Sequence, residues 1–552
     1  MVAAQVPVEQ TYRIDQFVGL DLRDDPANIP DNTLTELINF DVTPSGELVK
    51  RSAFNLVTET DANQQGMQAN NVLVLVGHFH TKNYSHILAC NGVDFYWSDD
   101  GAATWHIEYI NEVGGAHAGN IQTGVQYHDL FYLCCPNDVM RYWDGTSLRD
   151  IAGSPAASMC TVYKDRMFTV DYVGDPILGN TDSWVMYSKQ VGDPAVESEP
   201  FPFSSGYWGE SESSGHIDVQ GGDGDICTTL FVLQDQFFIW KTHSMWRLSI
   251  PSPDVTTWVL RVISRSVGCV SQFTVREVEG SIYFLGEFAL YKTDGVTFED
   301  VSQAIYPSAF QGHFPSGGVA TLQLTNRDSA GLWNGKYLLH LVTDPAGIVA
   351  SRDRLWILDV KTGGWSRYEI APFWAGGFHP HNMIEVDNPY ITGYKHRGLY
   401  IGDARIPGLN IWRWGSPVDV QNYADTATSI DSSTGITRVG PQTFVATFTT
   451  KDYVFEDPVS VKRAKWGMVE ANIKTANSTT WSQFTFTGSP IAQTTTGPVP
   501  ITSGYRDYRS IRGPGMFRAW QFGLVNQNDV EKVIVYSVSL RHVKINQRLA
   551  GA

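Results

Sequence analysis

HILAC-NG-VDFYWSD-DG-AATWHIEYI, residues His86 to Ile110, reads as an apolar strand, a tight turn, an aromatic-rich strand, an Asp-Gly turn and a third strand. The same order returns in FYLCC-PND-VMRYW-DG-TSLRDI (Phe131 to Ile151) and in SIYFL-GE-FALYKT-DG-VTFEDV (Ser281 to Val301). A two-residue hairpin loop that follows the twist of its strands needs positive φ, which Gly adopts freely and Asp tolerates. Asp100, Gly101, Asp144, Gly145, Asp294 and Gly295 are therefore read as structural turns. Each is flanked by large side chains in matched positions: Trp97 and Trp105, Tyr142 and Leu148, Tyr291 and Phe298.

One such meander cannot bury both of its faces, but copies stacked radially can, which predicts an all-β chain built as a β-propeller. Asp100 and Asp144 lie 44 residues apart, the length of one blade, and Asp294 follows 150 residues later. The strand pattern over residues 66–415 predicts about six blades. The hairpin-like stretches Trp184 to Pro194, Phe237 to Ile250, Arg354 to Ile370 and Gly398 to Trp414 fill the array, with Glu197 to Gly215 and Val342 to Arg352 as loop insertions.

The ends differ in texture. Residues 1–65 are expected to form a docking arm. Thr33 and Glu36 have capping-box spacing and predict a helix from about Leu34 to Asn39, followed by a hairpin turning at Pro44-Ser45-Gly46. Residues 416–552 predict a β-sandwich-like domain. Its last strand, within Lys532 to Ile545, would place Ile534, Tyr536, Val538 and Leu540 on one half-buried face. Too few large apolar residues occupy the first 65 positions for a separate core, so the arm must dock on other parts or on a neighbour.

Hydrophobic residues at 42% support a packed core, and no apolar run has the length of a membrane span. The N-terminus MVAAQVPVEQ has no basic patch followed by an apolar stretch, so neither a signal peptide nor a membrane anchor is expected. Six cysteines without C-x-x-C spacing suit buried thiols and synthesis in a reducing cytoplasm. The net charge of −18 is spread along the chain and disfavours a protein that grips nucleic acid, while suiting one past which DNA slides.

Motifs for chemistry are weak. Ser98 to Trp105 nearly matches an Asp-box turn, with the glycine one place early, but such turns are structural. A glycosidase needs two carboxylates about 5–9 Å apart, which sequence cannot pair. His78, His80 and His86, and His379 with His381, could share strand faces as metal ligands but lack a diagnostic spacing. Gly221-Gly222-Asp223-Gly224-Asp225 resembles a calcium loop without the downstream acid, and is read as a turn. There is no nucleophile elbow, Walker loop or dinucleotide fingerprint. No enzyme activity, catalytic residue, metal or cofactor is expected.

GLDLRDDPANIPDNTLTELINFDVTPSGELVKRSAF (Gly19 to Phe54), YSKQVGDP (Tyr187 to Pro194), Gly221 to Leu248 and Ser266 to Gly295 together resemble the β-propeller tail proteins of bacteriophages, typified by the tail nozzle or tail tubular protein B. The insertion from Glu197 to Gly215 departs from that pattern, and the C-terminal part is similar only in general character. The resemblance implies a virion structural protein made in the host cytoplasm and placed in the tail. It implies a ring of copies, usually a hexamer, that meets adaptor or portal-proximal proteins and tail fibres or spikes. Double-stranded DNA would be retained and passed without sequence recognition. A glycan- or receptor-binding propeller, with exposed tryptophans as a sugar platform, and a glycoside hydrolase are the competing readings.

Overall fold

A computed structural model describes residues 9–23, 25, 28–57, 74–90, 95–108, 123–136, 138–170, 182–209, 211–306, 308–310, 328–341, 355–369, 380–390, 396–403, 411–414, 425–430, 437–442, 446–450, 462–474, 481–489, 494–495, 499–500, 507–512, 516–517, 519–526 and 532–544. They are all-β, broken only by three-residue 3-10 turns such as Pro194–Val196. The expected insertion Val342 to Arg352 lies outside the described residues.

Many four-stranded antiparallel sheets that resemble propeller blades follow one another along the chain. The first five span residues 74–108, 123–150, 159–218, 227–264 and 276–300, each in simple meander order. A sixth meander spans residues 329–368, and a seventh sheet has three strands over 380–414 with Phe54–Leu56 as its fourth. The three-strand repeat read from the sequence is the outer part of a unit. An inner strand precedes it, as Val74–His80, Thr123–Tyr127 and Arg276–Val278 do.

The second strand of each unit explains why the sheets stack. Successive side chains point to opposite faces, so an apolar run serves two interfaces. Phe131 and Leu133 pack with Phe79 and Leu88 of the first sheet, while Tyr132 and Cys134 pack with Cys160 and Met167 of the third. Phe237 and Ile239 face the third sheet, and Phe238 and Trp240 face Ile282 and Phe284 of the fifth. Tyr283 and Leu285 meet Tyr337 and Leu339, and Leu338 meets Met383 and Leu399. The succession returns to its start, because Val386, Tyr400 and Ile411 share a core with Leu75, Ile87 and Ala89. Full burial of each such side chain is worth about 1.5–3 kcal/mol, so these shared faces dominate the stability.

The N-terminal segment is strand, where the capping-box spacing predicts a helix. Thr33–Ile38 is extended and pairs with Ala446–Thr450, and Ile38 also pairs in parallel with Arg367. Thr33 gives its hydroxyl to the Pro30 carbonyl at 2.7 Å, and Glu36 accepts from Thr449 at 3.0 Å, so neither caps a helix. Long-range pairing with a strand over 400 residues away overrides the local signal. Asn39 ends the strand at φ +57°, and the hairpin Phe40–Val42 to Leu48–Lys50 turns as expected around Pro44 to Gly46.

That hairpin pairs with Lys532–Lys544, which also pairs with Glu9–Ile14 and Lys462–Lys474. The sixth meander continues from Trp365–Tyr368 through Thr33–Ile38 to Ala446–Thr450, Ala519–Asn526 and Trp481–Ser489. The expected docking arm is thus woven into sheets at both ends of the chain. The last strand also departs from the one-face expectation. Val535, Ser537 and Ser539 are buried along with Ile534 and Val538, so both of its faces are covered. Trp184 to Pro194 is not a hairpin, since Trp184–Tyr187 pairs with Gly215–Asp218 across the insertion. Val196, just before that insertion, and Phe203 and Tyr207 within it join the core between the second and third sheets.

Candidate functional site

The Asp-Gly turns occupy three different sheets, each between the third and fourth strands, and they do not converge. Pairing of Trp143 with Leu148 and of Thr293 with Phe298 leaves four-residue loops instead of the expected two-residue ones. Only the glycines take positive φ, +94° at Gly145 and +90° at Gly295. The aspartates act as acceptors: Asp144 Oδ1 receives the N–H groups of Thr146 and Ser147 at 2.8 Å each, and Asp294 Oδ1 those of Val296 at 2.9 Å and Thr297 at 2.7 Å. The two hairpins are therefore equivalent, as their matched flanks predict.

Asp100 sits in a wider loop, where it accepts from the Thr104 N–H at 2.9 Å and the Thr104 hydroxyl at 2.6 Å. Gly101 takes φ +77° as expected, and Ala102 follows it at φ +70°, so the bend extends over two left-handed residues. Partial burial opposes ionisation of Asp100 and Asp144, but the donated hydrogen bonds outweigh it and hold both carboxyls below the usual range. At Asp294 the Thr297 and Val296 N–H groups have the same effect.

A Cβ on Gly295 would stand 2.4 Å from Phe238 Cζ of the preceding sheet, whereas one on Gly153 at φ +76° would meet open space. Gly295→Val is expected to lose about 2–4 kcal/mol, combining left-handed strain with overpacking. Gly153→Val carries the strain alone and should lose less. Urea midpoints of the two variants make the comparison, and equal losses would remove the packing argument.

The Gly221 to Asp225 loop holds a lysine that sequence inspection missed. Lys241, fully buried on the neighbouring strand, donates to Val219 O at 2.9 Å and to Asp223 Oδ1 at 2.7 Å. Asp225 accepts from the His243 N–H at 3.0 Å and the Ser244 hydroxyl at 2.8 Å. Both carboxylates serve the protein's own donors, which accounts for the loop without a cation.

Polar side chains link the inner strands to one another. Gln126 exchanges hydrogen bonds with the His80 backbone, Thr123 donates to Ser158 O, and Thr228 donates to Cys269 O. Ser271 donates to Asp328 O and Asn382 to Leu75 O. Arg276 spans two junctions, reaching Ala330 O at 2.6 Å and Met383 O at 3.0 Å. Glu385 touches water yet is hemmed in, so desolvation pushes its carboxyl up against the opposing pull of Arg276. No sequence signal marks this belt, because polar residues on strands also suit a solvent face.

His78 and His80 stack at 5.2 Å, but His78 Nε2 pairs with the Ser85 hydroxyl and His86 Nδ1 accepts from Trp143 Nε1 at 3.2 Å. Among the described residues no group of three His, Cys, Asp or Glu is placed to hold a metal. His379 and the side chain of His381 lie outside the described residues. Burial lowers His86 to about 4 and His78 to about 3. The unfolded chain protonates these rings below pH 6.5 while the folded one does not, so their neutral-state stability is lost as pH falls from 6.5 towards 4. One such site gives a slope of about 1.4 kcal/mol per pH unit. His86→Phe is expected to flatten the fall of unfolding free energy between pH 6.5 and 4.5, and unchanged slopes would refute the assignment.

Among the described residues no tryptophan is among the large exposed side chains, and the exposed aromatics are Tyr84, Phe288, Tyr306 and Tyr390. All six cysteines are buried free thiols. No described helix is long and apolar enough to cross a membrane.

No protein-family model matches the chain, and no curated protein does. Solved structures similar to it include an extracellular domain from B. thetaiotaomicron assigned to a one component system, at 12% identity and TM-score 0.39 over 70% of this chain. The chain covers 46% of that structure's length. The computationally designed Ika8 protein is similar at 8% identity and TM-score 0.34, over 65% of this chain and 99% of that one. An exo-beta-1,3-galactanase from Phanerochaete chrysosporium is similar at 9% identity and TM-score 0.24, over 76% and 94% of the two chains. Likenesses at these TM-scores carry no inference about activity.

Proposed function

We propose that the chain is a structural component of a bacteriophage tail, of the tail nozzle or tail tubular protein B kind. In this reading the seven sheet units form the blades of one propeller, one more than the sequence count. A β-sandwich built from N- and C-terminal strands stands beside it, and copies assemble as a ring on the tail axis. The ring would retain the genome and pass double-stranded DNA, in contact with adaptor or portal-proximal proteins and with fibres or spikes, without enzyme activity or cofactor.

The observation that carries this reading is the place of the Gly19 to Phe54 stretch, the main bearer of the resemblance. Its strands join the sixth meander to the C-terminal strands and lead into the closing strand of the seventh sheet. The residues that carry the resemblance thus serve architecture. The net charge of −18 supports a conduit, because a basic lining would bind phosphates one by one during passage.

Mass photometry of the purified protein is expected to show a species near six times the 61.4 kDa of one chain. The same preparation should have no measurable affinity for duplex DNA at physiological salt. A monomer that binds sugars would overturn this reading in favour of a glycan binder, and tight salt-sensitive DNA binding would indicate a DNA-gripping plug.

A further inference from the structure

The outermost strand of a stacked sheet leaves a row of backbone donors and acceptors free to pair with another chain, and proteins guard such edges with short strands and charge. Four outer strands fit that rule. His106–Glu108, Leu148–Asp150, Gly215–Asp218 and Phe298–Asp300 have three or four residues, and each ends on a carboxylate. The outer strand of the fourth sheet, Val259–Ser264, breaks it. It has six residues, VLRVIS, with no carboxylate, and it exposes Val259 and Val262.

Its charge is also reversed. Arg261 stands directly opposite Arg247, and Arg265 follows the strand. Like charges in a cross-strand pair repel. Among the described residues none of the three arginines has a carboxylate within ion-pair distance. Arg247 and Arg265 hydrogen-bond to the neutral Gln236 and Gln220, and Arg261 is exposed. An apolar, arginine-bearing edge on a chain of net charge −18 is complementary to the carboxylate-tipped edges of that same chain.

We infer that Val259–Ser264 is an assembly edge that docks a second copy of this chain, with Arg247, Arg261 and Arg265 facing a carboxylate-ended outer strand of the neighbour. The two surfaces differ, so the contact is head-to-tail, the type that closes into rings. This inference rests on the ring reading above and names the contact that builds it.

The test compares the wild type with the double variant Arg261→Glu, Val262→Asp by mass photometry. Circular dichroism and thermal melting verify that the variant is folded. The folded variant is expected to need at least tenfold more protein for half-assembly. A photo-crosslinking benzoylphenylalanine at position 262 is expected to capture residues 106–108, 148–150, 215–218 or 298–300 of another copy. An assembled wild type, with a variant of equal assembly and no intermolecular crosslink at 262, overturns this edge and leaves the ring reading standing. A wild type that is monomeric throughout overturns both. Variant-sensitive binding to duplex DNA or to anionic-lipid vesicles, without loss of assembly, would reassign the edge to a polyanion and overturn the inference.

Discussion

Removal of residues 1–57 is expected to abolish the cooperative fold instead of merely weakening assembly. The deletion strips the seventh sheet of Phe54–Leu56 and removes Thr33–Ile38 from between Trp365–Tyr368 and Ala446–Thr450. It also uncovers a dense aromatic junction. Phe54 is fully buried, stacks on Trp414 at 5.7 Å, meets Tyr368 edge-on at 6.2 Å and lies beneath the Arg51 guanidinium at 4.8 Å. Arg51 in turn donates to Asn39 Oδ1 at 2.8 Å and to Glu369 O at 3.0 Å. The single change Phe54→Ala should cost about 3–5 kcal/mol. Thermal melting with limited proteolysis checks both variants. A truncated chain that melts within a few degrees of the full-length protein would contradict this account of closure.

The second large effect is expected at Asp223→Ala. Lys241 is fully buried, and Asp223 is its carboxylate partner at 2.7 Å. Asp223 itself reaches solvent, but its removal leaves the buried ammonium without a counter-charge, at a cost of about 3 kcal/mol, the low end for a buried pair. Lys241→Met removes the charge and keeps much of the volume, leaving chiefly the Val219 carbonyl without its donor, a loss of about 1–3 kcal/mol. The lysine variant should therefore unfold at a higher urea concentration than the aspartate variant. The reverse order would mean that Lys241 retains its solvation by other means.

The sequence made the repeated part of the fold legible because the chemistry there is local. Asp144-Gly145 and Asp294-Gly295 announce their turns through backbone requirements that only a few residue types satisfy. Their loop length was not legible, since it depends on which residues pair across the strands. Leu34 to Asn39 misleads for the same reason: its partners at Ala446–Thr450 supply hydrogen bonds that no nearby residue reveals. The inner strands were missed because Thr123–Tyr127 and Arg276–Val278 carry polar residues whose partners sit on neighbouring sheets. Lys241 was hidden in an apolar run, and only its depth in the structure turns the Asp223 loop from a possible cation cradle into a lysine cap.

Closure by the first strands has a consequence for synthesis. Phe54–Leu56 emerges from the ribosome early, yet its partner Ile411–Trp414 is made over 350 residues later, and Glu9–Ile14 waits for Lys532–Lys544 near the other end. At roughly 5–20 residues per second, the wait is on the order of 20–100 seconds. Through that interval the nascent chain carries a stack of sheets with an open seam and a loose leading segment whose Phe54 has nowhere to go. Completion therefore lags far behind synthesis of the leading strands, and crowding of nascent chains on one message invites the leading strand of one to seal the seam of its neighbour.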